Sequence, residues 1–344
     1  MDIAIVSTSI NSEPSAYADW AKIGRLIVAG DLNTPHILER FIWDLGTQHT
    51  YLTPTQQERW ESSEVIGWNC IQRRNIAILE AIRTGADYII TVDDDNIPLN
   101  DIHHIIDAFE DNRMSTLFTS PLGWYDPCQH LIPPVWHRGF PYTYRHPLNE
   151  AKISTFDKID MPVGVVASTW LGEPDVGAID RMANPLQVYG SDVILRYSDI
   201  ALAPGTWAPF NSQATAWDAK YASLMMCWPG VGRFDDIFAS FIARRVLDEL
   251  GVVVKYTHPL VHQDRNDHNV LTDLKNEMFG YEFQDEICEI LRAVDLSDLS
   301  TVTSMQLRIY EELFNGARFL RGQTRDAFKC WMNDVKTAEM EGAQ

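Results

Sequence analysis

The sequence predicts an α/β protein whose helices alternate with the strands of a mainly parallel sheet. Short apolar, β-branched segments recur at residues 3–10, 25–35 and 88–92, and helical periodicity is present at 73–87 and 100–112. The order of strand, loop, helix, strand and helix is typical of a parallel α/β fold. The 344-residue chain is also 45% hydrophobic, which is enough for a substantial core.

The predicted strands differ in how they end. The first, IAIVSTSI at residues 3–10, runs into a hydroxyl-rich turn that contains Ser7 and Thr8. The second lies in RLIVAGDLNTP at 25–35, and the third, YIITV at 88–92, is followed at once by acidic residues. Because ligands of open α/β sheets bind beyond the carboxyl ends of the strands, the acidic turn after the third strand is a candidate for a binding site.

Helices with one buried face are predicted at 73–87, 100–112 and 235–251, where apolar residues recur every three or four positions. A strand, VVVKY at 252–256, follows the last of them. Residues 120–215 are rich in Pro, Gly, Trp and Tyr and show no long periodicity. We expect loops and short strands there, of the kind that build pockets.

The C-terminal part of the chain is predicted to be mainly helical from about residue 271. We therefore place one domain boundary near residue 270, between a sheet-containing domain at 1–270 and a helical extension at 271–344. The sequence contains no internal repeat and no low-complexity tract.

The charge of the chain restricts its partners. The formal net charge is −20 and the pI is about 4.8. A surface this acidic repels phosphate backbones, so we expect no nucleic-acid partner. An acidic enzyme that acts on a phosphorylated substrate needs local arginines or a divalent cation at its site.

Cysteine use and the N-terminus indicate the compartment. The five cysteines are widely spaced and form no CxxC pair, which fits reduced thiols better than disulfides or a zinc site. The N-terminal MDIAIVSTSI has no basic region and resembles a first strand more than a signal peptide. No apolar run approaches the ~18 residues of a membrane span. We expect a cytoplasmic protein without a membrane partner.

Three consecutive aspartates, Asp93, Asp94 and Asp95, follow the third predicted strand. Alternation along an extended turn directs Asp93 and Asp95 to one side and Asp94 to the other. Mg²⁺ and Mn²⁺ bind one or two such carboxylates together with water and substrate phosphates. An ordinary acidic turn is the alternative. An EF-hand is excluded because Pro98 stands where that calcium-binding loop needs glycine.

Two further segments contain charged residues suited to chemistry. PVWHRGFPYTYR places Arg138 and Arg145 seven positions apart, and arginine suits phosphate contact, although surface arginines lying over aromatic rings are equally compatible. RFDDIF contains Asp235 and Asp236 at a predicted helix start, where capping explains one carboxylate and leaves the other for chemistry.

A loop predicted from HPLVHQDRNDHN contains His258, His262 and His268, and one of them, for which we take His262, is a candidate third metal ligand. A structural histidine is the more common alternative. The chain has no P-loop, GxSxG, HExxH or GxGxxG motif, and we expect no flavin.

As a set, the motifs resemble the plant reversibly glycosylated polypeptides, which are UDP-arabinopyranose mutases, and the related STELLO glycosyltransferase-like proteins. GWNCIQRRNIAILEAIRTGADYIITVDDDN at 67–96 and GEPDVGAIDRM at 172–182 are similar to STELLO segments. VWHRGFP and GRFDDIFASFIARRVLDELGVVVKY at 232–256 are similar to both groups. The resemblance extends through most of residues 1–270 and does not include the chain after about 290. PFNSQAT at 209–215 departs from the cysteine-bearing segment of the plant mutases, which leaves the nucleotide base open.

The resemblance implies a GT-A-like nucleotide-sugar-binding fold in which the acidic triplet holds Mn²⁺ or Mg²⁺ against a diphosphate. It assigns Arg138 to the arginine that becomes reversibly glycosylated and Arg145 to a second arginine of the mutases. Together with the residue-level reasoning, it gives three groups of expected site residues. The expected catalytic residues are Arg138, Arg145, Asp235 and Asp236; the substrate-binding residues are Ser7, Thr8, Arg73, Asp94, Asp175 and Asn211; and the metal ligands are Asp93, Asp95 and His262.

Three functions agree with these residues. The first is a metal-dependent, flavin-independent pyranose–furanose mutase of UDP- or GDP-sugars, which cleaves the anomeric C–O bond reversibly. The second is a glycosyltransferase with an external acceptor, and the third is an inactive scaffold, which the intact charged residues disfavour. We expect the mutase. Whether Arg138 is a covalent nucleophile or a phosphate clamp stays open, and a homo-oligomer is compatible with the sequence.

Overall fold

The predicted α/β class is confirmed by a computed structural model, in which a large sheet is flanked by helices and the C-terminal region is helical. The structure describes residues 1–110, 115–145, 152–156, 160–265, 269–317, 319–320 and 322–342.

Within the described residues, the strands form one eleven-stranded sheet and one small two-stranded sheet. The strands are β1 Ile3–Thr8, β2 Arg25–Ala29, β3 Thr50–Leu52, β4 Tyr88–Thr91, β5 Asn96–Pro98, β6 Ser115–Thr119, β7 Leu131–Ile132, β8 Lys152–Phe156, β9 Val163–Gly172, β10 Gly190–Ser191, β11 Asp199–Leu202, β12 Thr215–Asp218 and β13 Val253–Gln263. The large sheet has the order β3-β2-β1-β4-β12-β9-β13-β11-β6-β8, with β5 paired to β13, and β7 pairs with β10.

Helices cover this sheet and form the C-terminal region. They are α1 Ser15–Trp20, α2 His36–Leu45, α3 Pro54–Gln57, α4 Glu61–Ile66, α5 Arg74–Arg83, α6 His104–Glu110, α7 Ala178–Ala183, α8 Val193–Tyr197, α9 Asp235–Glu249, α10 Val270–Ala293, α11 Val302–Gly316 and α12 Gly322–Gly342. Among the described residues, no helix is both long enough and apolar enough to cross a lipid bilayer.

The N-terminal half of the large sheet is parallel, as the sequence predicts. β1 pairs in parallel with β2 and β4, and β2 pairs in parallel with β3. The other half is mixed, because β12 runs antiparallel to β4 and β9, and β11 runs antiparallel to β13. The acidic triplet follows β4, which pairs in parallel with β1. It therefore lies in the parallel part of the sheet, where the carboxyl ends of the strands meet at one edge.

Two strands are longer than the sequence predicts. Residues 120–215 contain β9, a ten-residue strand in the middle of the sheet, where only short strands are expected. Nearly all of its side chains are buried, so the alternation that identifies a half-exposed strand is absent. β13 continues past residue 256 to Gln263, so His258 and His262 lie on a strand and not in a loop.

Two predicted amphipathic helices are in fact buried on nearly every side. In α5 every residue from Arg74 to Ala81 is buried, because the helix lies against β1 and β2 and is covered by α12. α9 is enclosed in the same way by β13, α10 and α11. The C-terminal helices thus cover parts of the α/β core, and the division at residue 270 stays a prediction.

The contact between α10 and the start of α9 depends on Gly280. A Cβ atom at this position would lie 2.0 Å from Cγ of Phe234, whose ring is fully buried. Alanine is better than glycine in a helix by about 1 kcal/mol. Here the clash outweighs that gain, since overpacking a closed contact costs about 1–3 kcal/mol.

We therefore expect Gly280→Ala to lower the stability of the protein despite its higher helix propensity. The midpoint of urea unfolding, followed by circular dichroism, should fall relative to wild type. Glu282→Ala, an exposed position two residues along the same helix, should leave the midpoint nearly unchanged. An unchanged or higher midpoint for Gly280→Ala would show that α10 does not pack on Phe234 as described.

Candidate active site

A cavity of about 560 Å³ lies at the carboxyl ends of β1, β2 and β4. Further walls come from the start of α5, the loop before β12, the start of α9, the end of β13 and one turn of α10. Seven of the residues predicted from the sequence line this cavity: Thr8, Asp93, Asp94, Asp95, Arg138, Asp235 and Asp236. The remaining six, namely Ser7, Arg73, Arg145, Asp175, Asn211 and His262, do not.

The first aspartate of the triplet is held by two side chains. Arg74 and Gln213 each donate a hydrogen bond to the carboxylate of Asp93, one to each oxygen. The backbone N–H of Asp93 donates to Oδ1 of Asn96 at 2.9 Å, which fixes the turn after β4. Asp93 is therefore oriented before any ligand binds.

The other two aspartates continue the acidic wall. Asp94 accepts hydrogen bonds from Ser9 and from Nδ2 of Asn11, the latter at 2.8 Å. Burial is the main reason that the pKa of Asp94 is raised, and the neighbouring charge of Asp93 adds to the effect. Asp95 lines the same cavity, and its carbonyl oxygen accepts from the N–H of Asp264 at 3.3 Å.

These residues fit a hard divalent cation, but only in part as a preformed site. The donors are carboxylate oxygens that open into a cavity, which suits Mg²⁺ or Mn²⁺. In the described part of the chain, however, the triplet does not bring three ligand atoms within 4.8 Å of one another. A cation here would thus take one or two carboxylates and complete its shell with water and substrate oxygens.

Ser7 and Thr8 support the end of β1. Ser7 lies beneath the cavity, where its hydroxyl donates to the carbonyl of Val92 at 2.9 Å and accepts from Tyr17 at 2.8 Å. Thr8 reaches the cavity wall, and its hydroxyl donates to the carbonyl of Ala29 at 2.7 Å. These bonds join the ends of three neighbouring strands.

Arg138 is a buried cation of the site. Its Nε and Nη2 donate to the two oxygens of Asp175 at 3.0 and 2.8 Å, and Nη2 also donates to Asp236 at 3.2 Å. Nη1 donates to the carbonyl of Arg233. Burial alone would lower the pKa of Arg138, but the charges of Asp175 and Asp236 raise it well above its usual value.

The sharp turn after Arg138 requires glycine. Gly139 has a φ of +83°, and a Cβ atom there would lie 2.3 Å from Cγ2 of Ile237. Because Ile237 belongs to the first turn of α9, this close approach brings Arg138 next to Asp236. In the RGF segment, Arg138 thus supplies the charge and Gly139 supplies the space that the close contact with α9 needs.

Arg138 is held by Asp175, which Asn211 supports, and neither of these two residues lines the cavity. Asp175 is fully buried and accepts a hydrogen bond from Nδ2 of Asn211 at 2.7 Å. Burial would raise the pKa of Asp175, but Arg138, followed by Arg265, lowers it well below its usual range. The carboxylate is therefore charged, and it positions the arginine without lining the cavity.

Asp235 and Asp236 begin α9 and differ in their surroundings. Asp236 accepts from both the N–H and the hydroxyl of Ser212 at 3.0 Å, in addition to Arg138. Asp235 accepts from Nε2 of Gln72 at 2.7 Å. Burial and then the charge of Asp236 raise the pKa of Asp235 to about 7. Two neighbouring carboxyl groups with such different surroundings can act as a proton donor and its charged partner.

The two adjacent arginines at the start of α5 have different roles. Arg73 is buried away from the cavity, where it donates to Gln57 at 2.9 Å and to the carbonyl of Ser63 at 2.9 Å. Arg74 is the one that reaches the cavity and Asp93. The sequence offers two neighbouring arginines and no criterion for choosing between them, because their orientation depends on where α5 begins.

Arg145 and His262 lie outside the cavity. Arg145 binds both oxygens of Asp180 at 2.9 and 2.8 Å and lies over the ring of Tyr142 at 3.9 Å. His262 is exposed on β13, and its neighbour Gln263 lines the cavity. His268 falls outside the described residues.

Sequence reasoning missed two further cavity arginines. Arg233 donates from Nε to Glu277 at 3.1 Å, and Arg265 approaches Asp175 at 3.5 Å. The Arg265 side chain is only 4% exposed, and its Nε and Nη2 have no hydrogen-bond partner among the described residues. Arg233 lies two residues before Asp235, and Arg265 lies among the histidines of residues 258–269, but no local pattern marks either arginine as a cavity residue. A guanidinium that lines a cavity suits an anionic ligand.

Asp31 is a third missed residue, and a positional rule identifies it. It follows β2 as the triplet follows β4, and it lines the cavity. Its carboxylate accepts from the backbone N–H groups of Asn69 and Cys70 at 2.8 and 3.0 Å. Asp31 thus fixes the segment that leads into α5.

Comparisons with known proteins identify the family of the chain. A sequence profile of the family described as "Reversibly glycosylated polypeptide" matches residues 63–330. The chain is 29% identical over 235 residues to "Probable UDP-arabinopyranose mutase 1" of Pisum sativum, a match that covers 66% of this chain and 59% of the relative.

Two other relatives give similar values. Identity to "Probable UDP-arabinopyranose mutase 1" of Solanum tuberosum is 26% over 240 residues, with 66% of this chain and 60% of the relative covered. For "UDP-arabinopyranose mutase 1" of Arabidopsis thaliana, identity is 26% over 223 residues, with 61% and 57% covered. The chain thus spans less than two thirds of the length of these relatives. The family profile also extends to residue 330, so the expectation that similarity ends near 290 is wrong.

The raised pKa of Asp235 predicts that the free energy of unfolding depends on pH. An unfolded aspartate loses its proton at a pKa of about 3.9, whereas folded Asp235 keeps it up to about 7. Between these values the folded state binds more protons, so the free energy of unfolding falls as pH rises through this window. We expect Asp235→Asn to remove this part of the decline, on the order of 2–4 kcal/mol between pH 4 and pH 8.

Urea unfolding of wild type and variant at several pH values measures the difference. Asp107→Asn, at an exposed position on α6, serves as the control and should decline with pH as wild type does. Identical pH profiles for Asp235→Asn and wild type would contradict the assignment of a protonated Asp235.

Proposed function

Because the chain belongs to the reversibly glycosylated polypeptide family, we propose that it is a nucleotide-sugar mutase that interconverts the pyranose and furanose forms of a sugar linked to a nucleoside diphosphate. The observation that carries this proposal is one cavity lined by three consecutive aspartates and by a buried arginine that two further carboxylates hold. Such a site can bind a diphosphate and support cleavage and re-formation of the bond at the anomeric carbon without an external acceptor.

The diphosphate would be bound by the cationic part of the cavity. Arg265 and Arg74 both line the cavity, and Arg74 lies beside Asp93. Guanidinium groups suit phosphate oxygens because of their planar, bidentate geometry. Charge develops on the diphosphate as the anomeric bond breaks, and fixed cations that stabilise it give a large part of the catalytic effect.

Asp93 and Asp95, with Asp94 beside them, would hold Mn²⁺ or Mg²⁺. When bound, the ion would supply further positive charge for the diphosphate leaving group. Arg74 already neutralises Asp93 in part, so we expect cation affinity to be modest until the substrate adds its own oxygens.

Arg138 is proposed as the group that carries the sugar. The anomeric C–O bond breaks with its electron pair on the diphosphate, and Nη2 of Arg138 bonds to the anomeric carbon. A guanidinium has no lone pair to give, so its proton must leave in the same step. Asp236 lies 3.2 Å from Nη2, lines the cavity and can accept that proton.

Asp235 is proposed as the acid–base residue of ring exchange. The bond from the anomeric carbon to the pyranose ring oxygen opens as that oxygen takes the proton of Asp235. The charged adduct gives a proton from its glycosylated nitrogen to the Asp235 carboxylate so formed, and the freed electron pair makes a C=N bond to the anomeric carbon. The sugar's 4-hydroxyl then attacks the anomeric carbon, the nitrogen takes a proton back from Asp235, and the hydroxyl's proton returns to Asp235. The diphosphate recaptures the sugar, and Arg138 regains its proton from Asp236. A carboxyl group with a pKa of about 7 can both give and take a proton at neutral pH.

For the substrate, we propose a UDP-sugar, and UDP-arabinose first, since the relatives carry that name. A GDP-sugar is the second choice. We further propose a cytoplasmic location, which the free state of all five cysteines supports. Arg145, bound to Asp180 outside the cavity, would position the segment that contains Arg138.

The decisive assay has no acceptor. We expect the purified protein, incubated with Mn²⁺ and UDP-arabinopyranose, to produce a furanose nucleotide whose anomeric signal appears by NMR. Chelation should reduce the rate, and Asp235→Asn should reduce kcat by about 10²–10⁴-fold, the usual contribution of a positioned acid–base group. A parallel panel of UDP- and GDP-hexoses and pentoses identifies the substrate.

Two results would overturn the mutase. Intact nucleotide sugars throughout the panel would exclude it. Turnover only after a sugar or protein acceptor is added would favour the glycosyltransferase instead.

The covalent step makes its own prediction. Intact-mass spectrometry of the protein, quenched during turnover, should reveal a fraction heavier by one sugar residue, and peptide mapping should place the added mass on Arg138. The adduct should be lost in Arg138→Lys and strongly reduced in Asp236→Asn, which cannot take the proton. Arg196→Lys, an exposed arginine on α8, is the matched control and should retain it.

An active enzyme without any adduct would contradict the covalent role. Arg138 would then act only as a clamp for the diphosphate, while the mutase itself would stand.

A further inference from the structure

We infer that the chain contains a second divalent-metal site, of the zinc class, formed by His104, Asp199 and His258 and separate from the acidic cavity. One ligand atom from each of the three lies within 4.8 Å of the other two. In the part of the chain that the structure describes, this is the one such group of histidine, cysteine and carboxylate side chains.

The three residues come from three adjacent elements. His104 begins α6, Asp199 begins β11, and His258 lies in the middle of β13. The pairing of β11 with β13 sets Ile200 opposite Tyr256, which places Asp199 near His258. A register irregularity in the pairing of β13 with β9 occurs on either side of Pro259, next to His258. Bulges of this kind often redirect a side chain towards a site.

Two buried ligand atoms of this group have no hydrogen-bond partner among the described residues. They are Oδ2 of Asp199 and Nδ1 of His258. Asp199 is only 1% exposed, and its other oxygen is 2.9 Å from Nε2 of His104. A buried carboxylate oxygen left without a partner is costly, and a bound cation would satisfy it.

The surroundings of His258 resemble the second sphere of a metal site. Its Nε2 lies 2.5 Å from Oδ2 of Asp101, a partly exposed residue at the rim. Metal-binding histidines usually pass their other ring N–H to a carboxylate, which fixes the tautomer and the ring orientation. With Nε2 engaged by Asp101, the unpartnered Nδ1 is the nitrogen left for a metal.

The donor set and its spacing favour Zn²⁺ over Mg²⁺ or Ca²⁺. Two imidazoles and one carboxylate are typical of zinc and related transition metals, whereas Mg²⁺ and Ca²⁺ prefer oxygen donors. Ligands about 2.1 Å from a tetrahedral zinc lie about 3.4 Å apart. Nε2 of His104 and Oδ1 of Asp199 are 2.9 Å apart, and all three residues have a ligand atom within 4.8 Å of the other two, so the group is compact enough to reach this spacing.

The site would be structural, because it lies away from the cavity. His258 is five residues before Gln263, the cavity residue at the end of β13, which is roughly 16 Å along a strand. A metal at His258 would fasten β13 to α6 and β11. It would thereby hold in place the strand that leads to Arg265.

The test uses the full chain stripped of metal by a chelator and dialysed. We expect it to bind one equivalent of Zn²⁺ by titration calorimetry, with a rise in Tm of about 5 °C or more at saturating metal. Co²⁺ in place of zinc should give the intense visible bands of a tetrahedral ion. Asp93→Asn, in the acidic cavity, should retain both the stoichiometry and the Co²⁺ spectrum.

Variants at the cluster make the site falsifiable. His104→Ala and, at a less buried position, His258→Ala should lose the tight equivalent and the metal-dependent rise in Tm. His103→Ala, an exposed neighbour on the same segment, should behave as wild type. The proposal is overturned if wild type binds no stoichiometric Zn²⁺, or if binding survives both cluster variants. Loss of binding in Asp93→Asn would overturn it as well, because it would move the metal to the acidic cavity.

Discussion

The buried guanidinium of Arg138 is the group on which the rest of the site depends. It is joined by charged hydrogen bonds to Asp175 and Asp236, and Asn211 adds a further bond to Asp175. Charges taken out of water are costly, and removing one partner of such a group typically destabilises a protein by about 3–5 kcal/mol. Four distant segments of the chain must therefore come together around one cation, and the cavity forms where they meet. Gly139 permits this approach, since a side chain there would collide with Ile237.

The distribution of charge in the cavity would allow an acidic protein to accept the proposed anionic substrate. The chain has a net charge of −20, yet Arg74, Arg233 and Arg265 reach the cavity wall. Some of their charge is balanced by buried carboxylates, so the site has fixed dipoles and ion pairs that need little reorganisation when a diphosphate binds. A divalent cation bound by the acidic wall would add to the attraction between the cavity and the diphosphate. The anionic exterior would then discourage nucleic acids, while the interior would accept one small diphosphate.

Part of this arrangement could be predicted from the sequence, and the missing part has physical reasons. β1, β2 and β4 and the acidic turn follow from local apolar runs and the position of Asp93 after a strand. β9 was missed because a strand buried on both faces shows no alternation. The choice between Arg73 and Arg74, and the roles of Arg233 and Arg265, depend on tertiary contacts that no local pattern contains. His258 lies on a strand because pairing with β9 and β5 extends β13 through a proline and two histidines.

The same contacts that hold Arg138 also reconcile its high pKa with a covalent role. Asp175 and Asp236 raise the pKa, which makes a free neutral guanidine rare at neutral pH. The proposed covalent step therefore requires the proton to leave as the new bond forms. Asp236, however, accepts a hydrogen bond from the very nitrogen that would bond to the sugar, so the proton can move along that bond as the carbon–nitrogen bond forms. Asp175 remains charged and balances the developing positive charge on the adduct. The pair of carboxylates, one lining the cavity and one buried beneath it, gives the arginine both a proton acceptor and a fixed counter-charge.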